Sequence, residues 1–318
     1  MKLYFAPMEG VTDAIYRRVH RRNFGGVQKY FMPFISPSHS LTFSRKEQFE
    51  MDPRQNAGVP VVPQILANNA NYFQATAELL RDLGYQEINL NLGCPSGTVT
   101  AKVKGSGLLR EPDRLRAFLD AVYAHPPLPI SIKTRIGYEQ PGEWPRLLEL
   151  LLDYPFSELI IHPRTRQEFY SGAPHREACS LLQREYLYNG DLFTAQTVHQ
   201  FLSEHPQACG VMLGRGLVAN PALAQEAAGG PALTLDALRS FHDDLYREYM
   251  RFWPETAVVG RMHLMMKYLC SCFDDSTVYR RALRKVTTGE EYERIVSGLF
   301  RECPLKAQPA FDLDILLS

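Results

Sequence analysis

Glu87-Ile88-Asn89-Leu90-Asn91-Leu92-Gly93-Cys94-Pro95 decides the fold. Aliphatic residues alternate with asparagines, so an extended chain turns Asn89 and Asn91 to one face and its aliphatic residues to the other. The run then stops at a Gly-Cys-Pro turn. Outward from it, short apolar, β-rich runs occupy residues 3–6, 29–31 and 60–66 on one side and 130–134, 158–162, 186–189 and 210–213 on the other. With 87–91 they make eight. Amphipathic helical patterns lie between them, as at 72–83, 113–123, 144–152 and 194–204, the alternation of βα units around a parallel sheet. An open doubly wound sheet alternates similarly, but its G-x-G-x-x-G fingerprint is absent, and the first strand runs instead into Ala6-Pro7-Met8-Glu9-Gly10. Eight units predict a closed (β/α)8 TIM barrel.

After the last run, Ala227-Ala228-Gly229-Gly230-Pro231 breaks the pattern, and the rest of the chain is helical in character, with helices expected at 235–252, 257–272, 277–285 and 289–300. The reading is a barrel over 1–230 and a C-terminal all-α helical bundle over 231–318. At 318 residues the chain is long enough for a barrel of about 250 residues and a small appendage.

Bulk properties exclude several classes. The sequence is 45% hydrophobic and 22% charged, an ordinary globular composition. No uncharged run is long enough to cross a bilayer and the N-terminus carries no signal-like segment, so cytoplasmic residence is expected. Lys plus Arg equals Asp plus Glu, 35 against 35, so a polyanion would have to be met by a local basic patch. Six cysteines are scattered without paired Cys-x-x-Cys elements, which predicts free thiols and no metal. Most of them, Cys209 most clearly, are expected in the core.

Barrel enzymes keep their reacting groups at the C-terminal ends of the strands. Here those ends carry Gln64, Asn89 and Asn91, Lys133 with Arg135, His162 with Arg164, Asn189-Gly190-Asp191 and Gly214-Arg215-Gly216. Glycine and arginine after the last two strands suit a phosphate. Pro7 and Met8 stand at the mouth after the first strand, where a methionine can pack on a flat ring. Lys133 by itself suits a salt bridge inside the barrel mouth, or a role as the cation that stabilises negative charge developing on a reduced ring. Cys94, in a turn at the mouth, is expected to be exposed and able to give or take a proton.

Taken in order, Ala6-Pro7-Met8-Glu9-Gly10-Val11-Thr12-Asp13, Asn89-Leu90-Asn91-Leu92-Gly93-Cys94-Pro95-Ser96, Ile132-Lys133-Thr134-Arg135-Ile136-Gly137, His162-Pro163-Arg164-Thr165, Tyr188-Asn189-Gly190-Asp191 and Met212-Leu213-Gly214-Arg215-Gly216 resemble the dihydrouridine synthase family. The resemblance implies FMN at the barrel mouth, with Pro7, Met8, Gln64, Lys133 and His162 about its ring and Asn189, Gly190, Asp191, Gly214 and Arg215 at its phosphate. It further implies NADPH as electron donor, uridine in tRNA as substrate, hydride delivery to C6 and protonation of C5 by Cys94. Asn91, Arg135 and Arg164 are expected at the substrate. A base must leave its stack to enter such a pocket. The tail resembles the family's RNA-binding domain, most clearly in Tyr279-Arg280-Arg281-Ala282-Leu283-Arg284-Lys285, where Arg280, Arg281, Arg284 and Lys285 supply the basic patch and Arg261 and Lys267 extend it. Residues 104–109 and 171–175 depart from the family's usual loops. No obligate protein partner is expected. Three other readings stand beside this one: ribosomal RNA as substrate, a flavin-free barrel lyase or isomerase with Lys133 as Schiff-base amine, and an RNA-binding module without activity.

Overall fold

The apolar runs become parallel strands in a computed structural model that describes residues 1–314. The strands are β1 (Lys2–Phe5), β2 (Lys29–Phe31), β3 (Val61–Val62), β4 (Gln64–Ile65), β5 (Ile88–Leu92), β6 (Ile130–Gly137), β7 (Leu159–Thr165), β8 (Tyr186–Tyr188) and β9 (Ala208–Leu213). Their order is β3-β2-β1-β9-β8-β7-β6-β5-β4. The expected single strand at 60–66 is therefore two short ones. Pro63, which has no N–H to donate, separates β3, paired with β2, from β4, paired with β5. Both ends of the sheet thus fall on the one stretch 61–65, so the sheet returns on itself as the expected barrel.

Helices α1 (Ala14–Asn23), α2 (Arg45–Met51), α3 (Ala70–Asp82), α4 (Gly97–Thr100), α5 (Pro112–Ala124), α6 (Trp144–Leu152), α7 (Ala195–Glu204), α8 (Arg215–Ala219), α9 (Leu223–Ala227), α10 (Leu235–Met250), α11 (Glu255–Leu269), α12 (Thr277–Leu283) and α13 (Gly289–Glu302) complete the chain. The helix at 14–23 lies outside the amphipathic patterns expected from the sequence. The start signal is there, since Asp13 caps that helix by accepting from the N–H of Tyr16. Among the described residues, no helix is long and apolar enough to cross a membrane.

Two compact units emerge, one of residues 1–9, 28–191 and 202–212, the other of 10–27, 192–201 and 213–318. In the first, Tyr4, Ala6, Phe31, Val62, Ile160, Leu187 and Met212 fill the barrel interior. Below them, at the N-terminal ends of the strands, Glu158 accepts from Lys2 Nζ at 2.9 Å, Tyr4 Oη at 2.7 Å and Lys29 Nζ at 3.0 Å. Burial alone would raise the Glu158 carboxyl, but the hydrogen bonds of Tyr4 and Lys2 outweigh it and hold it below its ordinary value. Cys209 is a correction: it is half-buried, with its Sγ 3.3 Å from the carbonyl of Tyr186, whereas Cys179, Cys270, Cys272 and Cys303 are buried.

In the second unit, Phe241 of α10 packs edge-on against Tyr16 of α1 at 5.6 Å and meets Phe24 at 5.5 Å. Asp13 also receives Arg261 at 2.7 Å and Tyr249 Oη at 3.2 Å. The Arg261 guanidinium lies 4.5 Å from the centroid of Trp253. Arg261 therefore does not extend the basic patch: its charge is neutralised by a buried carboxylate.

Removing Glu158 leaves two ammonium groups and a buried phenol without their acceptor. Glu158→Ala should destabilise the protein by about 1–3 kcal/mol, read as a lower urea midpoint with unchanged slope. Because the carboxyl is depressed in the folded state, that stabilisation exists at neutral pH and disappears in wild type as pH falls through its folded pKa, so the two proteins should converge in acid.

Candidate functional site

Strand periodicity lines the C-terminal mouth of the barrel with polar groups. On β5, Ile88, Leu90 and Leu92 are fully buried, and Asn89 and Asn91 take the alternate positions. Residue pairing sets Gln64 beside Asn89, Asn89 beside Ser131, Asn91 beside Lys133 and Arg135 beside His162. A chain of amides results. Asn91 Nδ2 donates to Gln64 Oε1 at 2.6 Å, Gln64 Nε2 to Asn89 Oδ1 at 2.8 Å, and Asn89 Nδ2 to Ser131 Oγ at 2.9 Å. The far end of this chain holds the Cys94 turn, because Asn91 Oδ1 accepts from the N–H groups of both Gly93 and Cys94 at 2.9 Å. Of these, Ser131 is not among the polar strand-end residues expected at the site; its signal is the period of two that it shares with Lys133.

Cys94 is half-buried and not openly exposed. Its carbonyl accepts from Ser106 N at 3.2 Å and Ser106 Oγ at 2.8 Å. Gly105, at φ +57°, passes so close that a Cβ there would stand 3.0 Å from the Cys94 carbonyl oxygen. Burial raises the thiol pKa, against the opposing effects of the Ser96 backbone and the Arg135 and Lys133 charges. At neutral pH the group is a thiol that holds its proton ready to give.

Four basic side chains occupy the same mouth, and they divide into two kinds. Arg135, 2% exposed, donates from Nε to the Gly93 carbonyl at 2.9 Å and from Nη1 to the Thr165 carbonyl at 2.8 Å. Arg164 is also fully buried; its guanidinium binds the Asp191 carboxylate at 2.5 Å and the carbonyls of Ser171 at 3.2 Å and Gly172 at 2.5 Å. The sequence places both at a substrate. Arg164 instead spends most of its donors on backbone and on Asp191, and Arg135 spends its Nε and Nη1 on backbone, so here they brace the Cys94 turn and the loop after β7. Asp191 likewise turns its carboxylate to Arg164.

Lys133 and His162 are different. Burial, reinforced by Arg135, lowers Lys133 to about 7. Burial and the neighbouring Arg135 and Lys133 hold His162 well below its ordinary value, so the ring is neutral. Its Nδ1 lies 2.5 Å from the Asn189 carbonyl, which can only accept, so Nδ1 carries the hydrogen. Nε2 is then a bare acceptor, shut off from solvent and without a partner among the described residues.

Beside it, Asn189 Nδ2 donates to the Met212 carbonyl at 2.7 Å, and a Cβ on Gly190 would fall 2.1 Å from Tyr188 Oη. Only glycine fits there. Pro7 and Met8 follow β1, each partly buried. Tyr170, which the sequence reading does not single out, lies 5.3 Å from the Arg135 guanidinium and 6.1 Å from the His162 ring. It sits in an irregular loop, where no periodicity marks it.

Gly214 and Arg215 belong to the second unit, where Gly214 caps α8 and Arg215 rests 5.0 Å from the Phe311 ring. Also in that unit, Lys267, Arg280 and Arg284 rim a cavity of about 320 Å³ floored by Gly260, Leu264, Met266 and Leu283. Arg281, Arg284 and Lys285 are exposed and Arg280 is half-buried. Among the described residues, no group of His, Cys, Asp and Glu could hold a metal ion.

Residues 4–303 match the family model described as dihydrouridine synthase (Dus). The chain is 32% identical over 265 residues to a probable tRNA-dihydrouridine synthase of Staphylococcus aureus (strain COL), with 77% of each protein covered. It is 30% identical over 229 residues to another of that description from Rhodobacter capsulatus, with 70% of each covered. Among solved structures it resembles the old yellow enzyme homologue from Zymomonas mobilis, with TM-score 0.50 and 10% identity over 76% of this chain and 92% of the other. That likeness shows the barrel fold.

The depressed Lys133 has a measurable consequence. An unfolded lysine keeps its proton up to about pH 10.4, whereas the folded one releases it near 7. Between those values the unfolded chain binds more protons, so stability should rise with pH. In the cofactor-free protein, Lys133→Met should remove this increment. The difference in urea midpoint should favour the variant at pH 7 and shrink towards pH 10.

Proposed function

We propose that this chain, which belongs to the dihydrouridine synthase family and is an oxidoreductase of the tRNA-dihydrouridine synthase type, reduces the C5=C6 bond of uridines in tRNA with FMN as cofactor, NADPH as electron donor and Cys94 as proton donor. One observation carries this reading: a protonated, half-buried thiol shares the barrel mouth with two basic groups that have no anion of their own, the lowered Lys133 and the unpartnered Nε2 of neutral His162.

Those two groups fit a ring that has hydrogen-bond donors and acceptors and becomes anionic when reduced. A lysine held near 7 by burial regains its charge when an anion arrives beside it. A bare imidazole acceptor is suited to an N–H of the ring. FMN, when bound, would supply hydride chemistry for C6 of uracil, with NADPH as the source of the electrons. Pro7, Met8, Gln64, Lys133 and His162 would hold the ring. Gly190, where only hydrogen fits, and the backbone beside it, would let a phosphate approach closely.

The rest of the chemistry belongs to the chain. As the C5=C6 bond is reduced, C5 must take a proton, and the Cys94 thiol has one to give because burial keeps its pKa up. The thiolate left behind is stabilised by the positive charges of Arg135 and Lys133, and water or buffer restores its proton. Asn91 and Arg135 act by fixing the turn that carries the thiol. A Schiff-base role for Lys133 would use the same lowered pKa but leaves Cys94 and the family match unexplained. The relatives are described as acting on tRNA, which favours tRNA over ribosomal RNA.

RNA would be met by Arg280, Arg281, Arg284 and Lys285, the local patch that a chain with no net charge needs.

Two experiments test this. Cys94→Ala should keep bound FMN and NADPH oxidation but lose about 100-fold or more of dihydrouridine formation, the usual weight of a general acid, as read by nucleoside mass spectrometry. Undiminished product would assign the proton to another group. Neutralising Arg280, Arg281, Arg284 and Lys285 together should weaken tRNA binding and flatten the dependence of log K on log salt by about 0.7–0.9 per lost phosphate contact. An unchanged slope would move the RNA site elsewhere.

A further inference from the structure

Beyond the strand ends, the segment that leaves β7 is built with unusual care. Phe169 has φ +55°, a conformation unfavourable for a bulky side chain. It is held there from several directions. The Phe169 N–H donates to the Arg166 carbonyl at 3.2 Å and the Ser171 N–H to that of Glu168 at 2.8 Å. From below, the buried Arg164 guanidinium grips the carbonyls of Ser171 and Gly172. Glu168 accepts from the Thr165 N–H at 2.5 Å and bonds His175 Nε2 at 2.6 Å. A strained residue fixed this firmly marks a site where its position matters.

The loop presents aromatic and basic groups. Phe169 is 48% exposed and Tyr170 45% exposed. Their rings meet edge to face at 5.0 Å, and Tyr170 is tied to the mouth through Arg135 and His162. Phe169 makes no other ring contact among the described residues.

Three residues earlier, Arg166 lies 5.5 Å from the Tyr138 ring centroid, and Arg110 lies 5.2 Å from the same ring. Arg166 Nη2 is 3.9 Å from where a Cβ of Gly97 would stand, so it reaches over the loop that comes after Cys94. Its Nε is buried with no acceptor among the described residues. Arg110 has a carboxylate, Glu111, 3.6 Å from its Nε, whereas Arg166 has no ion pair among the described residues, so an anion bound beside Arg166 would offset the repulsion between the two guanidinium groups on one ring.

We propose that Phe169 and the Arg110–Tyr138–Arg166 stack form a subsite for the RNA nucleotide next to the one reduced, with its base on Phe169 and its phosphodiester at Arg166 and Arg110. Exposed aromatics beside arginines are how proteins hold unstacked RNA. A base extruded toward Cys94 leaves its neighbour unstacked, and Phe169 would replace the lost stacking partner. The subsite deepens the functional reading above and rests on it.

The test uses the FMN-loaded full chain with an unmodified tRNA transcript. Phe169→Ala should lower kcat/KM for tRNA about tenfold, and Phe169→Trp should restore it, because stacking needs a ring and not phenylalanine itself. Flavin content and the KM for NADPH in flavin reduction should stay as in wild type. Arg110→Gln with Arg166→Gln should weaken tRNA binding and reduce its salt slope. Wild-type turnover of tRNA by Phe169→Ala would overturn the subsite alone, as would an effect confined to the KM for NADPH, which would assign the aromatic to the dinucleotide. A wild-type protein that makes no dihydrouridine would overturn the functional reading and this inference with it.

Discussion

Asn91 has one carboxamide and three claims on it. Its oxygen accepts from the N–H groups of Gly93 and Cys94, and its nitrogen donates to Gln64, which passes the connection on to Asn89 and Ser131. Buried amides of this kind are rigid because any rotation leaves a polar group unpaired in a low-dielectric interior. The position of the Cys94 thiol is thereby tied to the registers of β4, β5 and β6, and a turn that would otherwise be loose becomes part of the sheet. Arg135 adds a second tie from β6, and Ser106 a third from the next loop.

The electrostatics of the mouth follow from which donors are already used. Arg135 and Arg164 bring charge into the barrel, but backbone carbonyls take two donors of Arg135, and backbone carbonyls and Asp191 take most of those of Arg164. Burial lowers Lys133 and His162, and the remaining fields add to it, Arg135 acting on both and Arg164 on His162. The two groups facing inward without an anion are thus poised to respond to one. The same positive field eases loss of a proton from Cys94, while burial keeps that proton in place at neutral pH. One environment raises the thiol and lowers the lysine.

The opposite end of the barrel is arranged for stability. Glu158 gathers Lys2, Tyr4 and Lys29 at the N-terminal ends of the strands, with every strong donor paired. Satisfied polar groups at one end and unsatisfied ones at the other are the usual division of labour in this architecture, because only the C-terminal ends lead into loops that can be shaped around a reaction.

Much of this was legible in the chain. The alternation in 87–92 follows from the geometry of an extended backbone, and it identified Asn91 and the turn at Cys94 without any knowledge of neighbours. Position at the C-terminal ends of the strands picked out Lys133, Arg135, His162 and Arg164, and the apolar runs marked the strands. The split at Pro63, the ion pair of Arg261 with Asp13, the partial exposure of Cys209 and the exposed rings of Phe169 and Tyr170 were not legible. Sequence determined which side chains face inward, because strand periodicity is local. Only the tertiary structure decided which of them are spent and which remain available, because hydrogen-bond partners such as the carbonyls of Gly93, Thr165 and Gly172 come from distant segments whose registers no local pattern records.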